Sequence, residues 1–259
     1  MTKKNTYQAV GCVADDSQKA QEAFAALASQ YEFAPLKKAD VVIVLGGDGF
    51  MLRTMHQLME TQIPIYGMNC GAVGFLLNAF KQRGLHKALN EAVPHVLHPL
   101  EMVAQDQKGK KHHAYAINEV SLLRETRQTA HLKISIDGRV RMEELMCDGL
   151  LLSTAAGSTA YNLSAHGPII PLGSNLLALT AISPFRPRRW KGALLSHRVV
   201  VRVDVVDPKK RAVSSVADFT EIRDVVSVEI KEDRKKKITL LFNPRHSLEE
   251  RIISEQFVS

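Results

Sequence analysis

A carboxylate set among three glycines is the first chemistry the sequence offers. Residues 41–49 read VVIVLGGDG: five apolar residues, then Gly46, Gly47, Asp48 and Gly49. An apolar β-branched run without alternation fits a strand buried on both faces. Beyond the glycines, Met51, Met55 and Leu58 fall at i, i+4 and i+7, one face of a helix. The glycines therefore occupy a tight strand-to-helix turn. Backbone N–H groups in such a turn, helped by the helix dipole, point at whatever binds there, and anions are the usual guest. Gly46 and Gly47 are expected to supply torsions and close approach that a side chain would block. Read alone, the stretch also fits a plain βα turn with a polar residue at its bend. It is not the dinucleotide fingerprint, because Leu52 stands where a third glycine belongs, and no P-loop Gly-Lys-Ser/Thr occurs in the chain.

Two further stretches concentrate polar groups. Asn118 and Glu119 sit side by side between apolar neighbours. In an extended strand they would face opposite sides, whereas at a strand end or bend both reach one ligand. A capping or edge pair is the structural alternative. The run from Cys147 to Pro168 is rich in small and hydroxyl residues around Tyr161. Small residues let a flat ligand approach the backbone, and hydroxyl and N–H groups then read its edge; the same composition also suits an ordinary tight loop. His95 and His98 form an H-x-x-H between Pro94 and Pro99, but no third ligand accompanies them, which argues against a metal site. His112-His113 reads as a solvated loop and Arg234–Lys237 as a solvated hairpin tip. The basic stretch Arg186–Lys191, with Trp190 as its one aromatic, reads as an exposed or phosphate-facing loop, with a nucleic-acid contact as the alternative.

The elements that must carry these groups change character along the chain. The first hundred residues alternate strand and helix signals. Tyr7–Val13 reads as a strand, and Ser17 reads as the cap of a helix with Ala20, Phe24 and Leu27 on one face. The strand of the opening stretch and a third over Ile63–Gly67 follow. Repeated β-α-β implies a parallel sheet with helices on its faces. After about residue 100, alternation at Leu132, Ile134 and Ile136, an Asp137-Gly138 hairpin turn, a strand over Val199–Val206 and alternation at Val226, Val228 and Ile230 indicate an antiparallel, sandwich-like β half. Leu240–Phe242 reads as a last strand and Leu248–Ile253 as a short amphipathic turn. The expected division is an α/β domain over 1–100, completed by the tail 243–259, and a β-rich domain over 101–242.

Composition sets the bounds. The chain has 259 residues, 45% apolar and 24% charged, as soluble globular proteins do. No apolar run approaches the roughly 18 residues of a membrane span. Asp15 and Asp16 soon follow Lys3 and Lys4, which argues against a signal peptide, and the cytoplasmic expectation rests on the cysteines. Cys12, Cys70 and Cys147 are odd in number and far apart, which suggests reduced thiols. A net charge of +7 favours anionic partners.

Taken together, Gly46-Gly47-Asp48-Gly49, Gly67–Leu76 (GMNCGAVGFL), Asn118-Glu119, Asp148-Gly149 and Gly157–Ser164 (GSTAYNLS) resemble the bacterial NAD kinase (ATP-NAD kinase) family, in order and approximate spacing, over nearly the whole chain. The resemblance implies an N-terminal α/β domain, a β-rich C-terminal domain and an NAD site between them. It also implies ATP with a divalent ion, Mg²⁺ foremost, and a homo-oligomer, dimer or tetramer, whose NAD site borrows residues from a neighbouring subunit. No nucleic acid or membrane partner is expected. By position, Asp48 would be the catalytic base, and Gly46, Gly47 and Gly49 would cradle phosphate. The dinucleotide would touch Asp48, Gly49, Asn118, Glu119, Asp148, Ala156, Thr159, Ala160, Tyr161, Asn162, Leu163 and Ser164. Apart from the resemblance, Arg53, one turn into the helix, suits a phosphate contact of the NAD site and equally a solvated helix face. Three departures stand out. Phe50 replaces the usual Thr or Ser, Ala155-Ala156 replaces Pro-Thr, and Asp218-Phe219-Thr220 replaces Asp-Gly-Gln.

Overall fold

The computed structural model describes residues 7–71 and 74–244. The chain divides into two compact units, one taking it to Leu97 and resuming at Lys236, the other spanning His98–Lys235. The first unit contains β1 (Val10–Ala14), α1 (Gln18–Ala28), β2 (Val41–Gly46), α2 (Asp48–Leu58), β3 (Ile65–Asn69), β4 (Asn78–Ala79), α3 (Leu85–Glu91) and β5 (Val93–Leu97). The second contains β6 (Leu100–Asp106), β7 (Lys111–Ala116), β8 (Glu119–Arg124), β9 (Ala130–Ile136), β10 (Arg139–Cys147), β11 (Gly149–Ser153), α4 (Tyr161–Ser164), β12 (Leu176–Ile182), β13 (Gly192–Ser196), β14 (Val201–Val205), β15 (Val213–Ala217), β16 (Thr220–Ile222) and β17 (Val225–Glu232). The chain then returns to the first unit with β18 (Ile238–Phe242).

In the first unit the sheet order is β1-β2-β3-β18-β5, with β4 beside β3. Pairing is parallel from β1 through β18, and β5 closes the edge antiparallel. All six residues of β2 are buried, as expected of a central parallel strand covered on both faces. Ser17 takes the N-cap position of α1, but its side chain makes no capping hydrogen bond. Phe24 is only partly buried, and Ala20, Ala23 and Leu27 form the packed face. α2 begins at Asp48 and buries Met51, Thr54 and Met55, while Leu58 is only partly buried. The amide of Asn78 ties the sheet together. Its Nδ2 donates to the carbonyls of Gly67 and Leu241, and its Oδ1 accepts from the Asn243 N–H.

The second unit is a sandwich of two antiparallel six-stranded sheets, β10-β9-β14-β17-β6-β7 and β13-β12-β11-β8-β15-β16. One buried cluster joins them, with Met102, Leu132, Ile134, Val203 and Val228 from the first sheet and Val120, Leu122, Leu150, Leu152 and Leu179 from the second. Alternation puts these residues inward along each strand. The expected Asp137-Gly138 turn joins β9 to β10, with both residues left-handed (φ 50° and 74°).

Several expectations are corrected. β18 belongs to the first unit, so the second ends at Lys235 rather than at residue 242. Arg234–Lys237 is the connection between two different sheets rather than a hairpin tip. His112 and His113 lie on β7, and His112 Nε2 is 2.8 Å from Asp106. His95 lies on β5 with its ring against the Phe242 ring at 5.4 Å. The turn expected at Leu248–Ile253 and all but the first two residues of the tail 243–259 fall outside the described residues. Cys12, Cys70 and Cys147 are free thiols, and burial pushes Cys12 and Cys147 up to about 12.

Candidate active-site residues

One candidate region, in the first unit, is the turn between β2 and α2. Gly46 is the last residue of β2, and a Cβ there would lie 2.9 Å from the Phe50 ring and 3.2 Å from Asp15 Cβ. Its missing side chain is a packing requirement, because Phe50 folds back over it. Gly47 and Gly49 differ: a Cβ at either would meet nothing within 4 Å, and Gly47 has an ordinary φ of −104°. The fold does not require glycine at these two positions. Their open space faces the N-terminus of α2, where backbone N–H groups suit phosphate oxygens.

Asp48, the first residue of α2, is held by a loop of its own unit. Its Oδ2 accepts the Phe75 N–H at 2.8 Å and its Oδ1 accepts the Leu76 N–H at 3.1 Å. Each carboxylate oxygen has two lone pairs, so one on each remains for a substrate hydroxyl. The loop is also pinned beside the turn, since Cys70 N–H donates to the Gly46 carbonyl and Asn69 Oδ1 accepts the Gly71 N–H. Arg53 has an intrachain partner: its guanidinium is 3.6 Å from Asp15 and 6.0 Å from the Phe50 ring centroid.

Another candidate region gathers in the second unit around the start of β8. Gly157 packs directly on Asn118, and a Cβ there would come within 2.2 Å of the Asn118 carbonyl oxygen. Thr154 fastens the same contact, its N–H donating to the Asn118 carbonyl and its Oγ1 donating to the Ile117 carbonyl at 2.7 Å. Much of the hydroxyl-rich run is therefore internal. Ser158 is fully buried, donating to the Ala155 carbonyl and accepting the Ile170 N–H. Asn162 is fully buried too. It donates to the carbonyls of Ser158 and Pro168, and its Oδ1 accepts the Thr180 hydroxyl at 2.6 Å. Ala156 is likewise buried. Of the expected ligand residues in this run, Tyr161, Leu163 and Ser164 are exposed, and Thr159 and Ala160 are partly so. The expectation that these hydroxyls read a ligand edge is corrected for Ser158, and Asn162's side chain is likewise spent within the fold.

Asn118 and Glu119 differ from their neighbours. Asn118 Oδ1 and Glu119 Oε2 are buried and hydrogen-bond to nothing among the described residues. A buried oxygen without a partner is costly, which suits atoms reserved for a ligand. Burial and then the negative charge of Asp218 push the Glu119 carboxyl up to about 8, and the Tyr161 backbone N–H offsets part of the rise. Burial and then the Glu119 and Asp148 carboxylates also raise the Tyr161 phenol. Asp148 is bound by Arg124, whose Nε donates to Oδ1 at 2.6 Å. Sequence reasoning missed Arg124 and Asp218. Arg124 gave no signal, whereas Asp218 survives as the one residue kept from Asp-Gly-Gln.

The comparisons place the chain. Residues 2–99 match the model of the ATP-NAD kinase N-terminal domain, and residues 117–220 match that of the ATP-NAD kinase C-terminal domain. The chain belongs to the ATP-NAD kinase family. An NAD kinase of Cereibacter sphaeroides is 56% identical over 253 residues, covering 98% of this chain and 100% of that protein. An NAD kinase of Caulobacter vibrioides is 56% identical over 242 residues, covering 93% of each. Among solved structures, yeast NADH kinase complexed with NADH matches with a TM-score of 0.80 at 20% identity, covering 98% of this chain and 88% of that one. An NAD kinase from Archaeoglobus fulgidus in complex with ATP matches with a TM-score of 0.74 at 22% identity, covering 95% and 98%. These two likenesses speak for the fold.

Proposed function

We propose that this ATP-NAD kinase family member is an ATP-dependent NAD kinase that phosphorylates the 2′-hydroxyl of the adenosine ribose of NAD, giving NADP. The observation that carries the reading is the 56% identity to an NAD kinase along its entire length. The local geometry suits the chemistry. The attacking ribose oxygen forms a bond to the terminal phosphorus of ATP as the bridging P–O bond breaks and ADP leaves. Asp48 takes the hydroxyl proton, held in place by the Phe75 and Leu76 N–H groups. The open faces of Gly47 and Gly49 accommodate phosphate oxygens at the start of α2. Asn118, Glu119, Asp148 and the exposed part of residues 159–164 hold the dinucleotide.

A divalent cation, Mg²⁺ foremost, would offset the negative charge of the phosphates. Among the described residues no three His, Cys, Asp or Glu side chains converge on one point. That donor set suits an ion arriving on ATP and keeping its phosphate and water ligands, as Mg²⁺ commonly does. The net charge of +7 serves these polyanionic substrates rather than nucleic acid. No helix among the described residues is long and apolar enough to cross a membrane. A cytoplasmic homo-oligomer, dimer or tetramer, completes the reading, and sedimentation would give its subunit number. The decisive assay incubates the purified protein with NAD, ATP and Mg²⁺ and measures NADP. No product across several donors and metals would refute the enzyme.

A further inference from the structure

The bend that precedes β8 is held by a residue a hundred positions downstream. Ala217 pairs with Thr220, so Asp218 and Phe219 form a two-residue turn between β15 and β16. Asp218 is left-handed there, with φ 51°, a conformation that aspartate tolerates better than most side chains. Its carboxylate accepts three successive backbone N–H groups: Ile117 at 2.7 Å, Asn118 at 3.0 Å and Glu119 at 3.2 Å. Along a straight strand successive N–H groups alternate in direction, so three on one acceptor require the backbone to turn. That turn frees Asn118 and Glu119 from facing opposite sides, and each keeps a buried oxygen without a hydrogen-bond partner among the described residues.

We propose that Asp218 is a positioning residue for the dinucleotide: it fixes the turn at 117–119 and sets a fixed negative charge beside Glu119, so that Glu119 meets a sugar oxygen of the ligand as a hydrogen-bond donor. Among the described residues, the titratable groups that act on Glu119 are Asp218 from the β15–β16 turn and Tyr161 from α4, while Ser153, opposite on β11, carries no titrating group. With its carboxyl pushed up to about 8, Glu119 carries its proton at neutral pH. The naming of the ligand rests on the NAD kinase reading, whereas the clamp and the protonation of Glu119 do not.

The test combines two measurements on the full chain. The first is an NMR titration of the unliganded protein carrying ¹³C-carboxyl glutamate, with Glu119→Gln to assign the signal. The second is NAD affinity by calorimetry across neutral and alkaline pH. Wild type is expected to show one glutamate titrating near pH 8 and NAD binding that weakens above that pH. Asp218→Asn keeps an oxygen at Oδ1, which takes two of the three bonds, but loses the charge. The Glu119 midpoint and the onset of weaker binding should both move to lower pH. Asp218→Ala removes the whole clamp and should cost on the order of 10²-fold in kcat/KM, mainly through the KM for NAD. A wild-type Glu119 that titrates with the ordinary glutamates overturns the proposal. So does an Asp218→Asn protein that melts at a lower temperature yet keeps the wild-type midpoint and pH profile, for Asp218 would then be structural only. A wild type that shows the Glu119 titration but does not bind NAD would instead remove the kinase reading, and the dinucleotide from the proposal with it.

Discussion

The two glycine-bearing stretches of the candidate site look alike in sequence and differ in use. At the β2–α2 turn, the space beyond Gly47 and Gly49 is open. At Gly157 it is filled by the backbone of Asn118, and at Gly167 by the Asn162 side chain, 2.1 Å from where a Cβ would sit. Open glycines leave room for something outside the chain, while filled ones let two segments of the chain touch. The hydroxyl and amide groups follow the same division. Ser158 and Asn162 complete internal hydrogen bonds around the filled glycines, whereas Asp48 keeps lone pairs beside the open ones.

The comparison can be broken at its strongest point with Gly157→Ala. The methyl would strike the Asn118 backbone at 2.2 Å, and that bend, held by Thr154 and Asp218, cannot yield cheaply. We expect a loss of about 3 kcal/mol or more in unfolding free energy, at or beyond the upper end of overpacking costs, read by denaturant titration. An alanine protein of wild-type stability would mean that the two stretches are not different in kind.

Asp48→Asn probes the open turn. Kinetically, loss of the base should lower kcat by about 10²- to 10⁴-fold, measured as NADP formation. Structurally, asparagine is not silent here. Both carboxylate oxygens accept N–H groups, and the new NH₂ must face one of them, which costs about 1–3 kcal/mol. An unchanged kcat would remove Asp48 from the chemistry and leave it as the pin of the 74–76 loop.

Glu119→Gln isolates the buried carboxyl beside the filled glycine. Because the folded-state pKa is raised, the folded chain holds this proton more tightly than the unfolded one. Its contribution to stability is therefore fullest below the ordinary glutamate value of 4.5 and falls as pH climbs to about 8. Glutamine has no proton to lose. The melting temperature of the variant should gain on that of wild type across this window and then run parallel to it. A gap that does not change with pH would show that Glu119 ionises as an ordinary glutamate.

The smallest effect is expected at Gly47→Ala. Its φ of −104° and open surroundings accept a methyl, so stability should change by under about 1 kcal/mol and can even rise. The informative readout is the KM for ATP, which should increase if phosphate oxygens approach that face. An unchanged KM would detach Gly47 from the phosphates.

What the sequence made legible was local. β2, its turn and α2 follow from a β-branched run, glycines and a period of 3.6, all within eighteen residues. The antiparallel half followed from alternation, because each strand's inward residues carry their own signature. The Asn118-Glu119 pair was recognised as an end-or-bend question, but the answer lay at Asp218, a contact across 101 residues that no periodicity encodes. The burial of Ser158 and Asn162 was hidden for the same reason: hydroxyl and amide groups read alike whether they face a ligand or a carbonyl. α3 went unseen, with seven residues and only Leu85 and Leu89 buried. Phe50 and Phe219, both departures from the family pattern, differ in consequence. Phe50 covers Gly46, whereas at 218–220 the side chain that performs the clamping is the one that did not change.

The placement of β18 sets an order of events on the ribosome. The first unit's sheet lacks its fourth strand until the sandwich has been synthesised in full, since β18 follows β17. Asn78 is made early, yet the Leu241 carbonyl it donates to lies 163 residues later. At about 5–20 residues per second, that is a wait of roughly 8 to 33 seconds. During it, β3 lacks its β18 neighbour at Ile65, and the Asn78 amide lacks the Leu241 carbonyl. The uninterrupted sandwich can close while the nascent N-terminal segment is still incomplete. Chaperone engagement during synthesis should therefore concentrate on residues 7–97, and a chain ending at Lys235 and released from the ribosome should leave that segment sensitive to protease while His98–Lys235 resists.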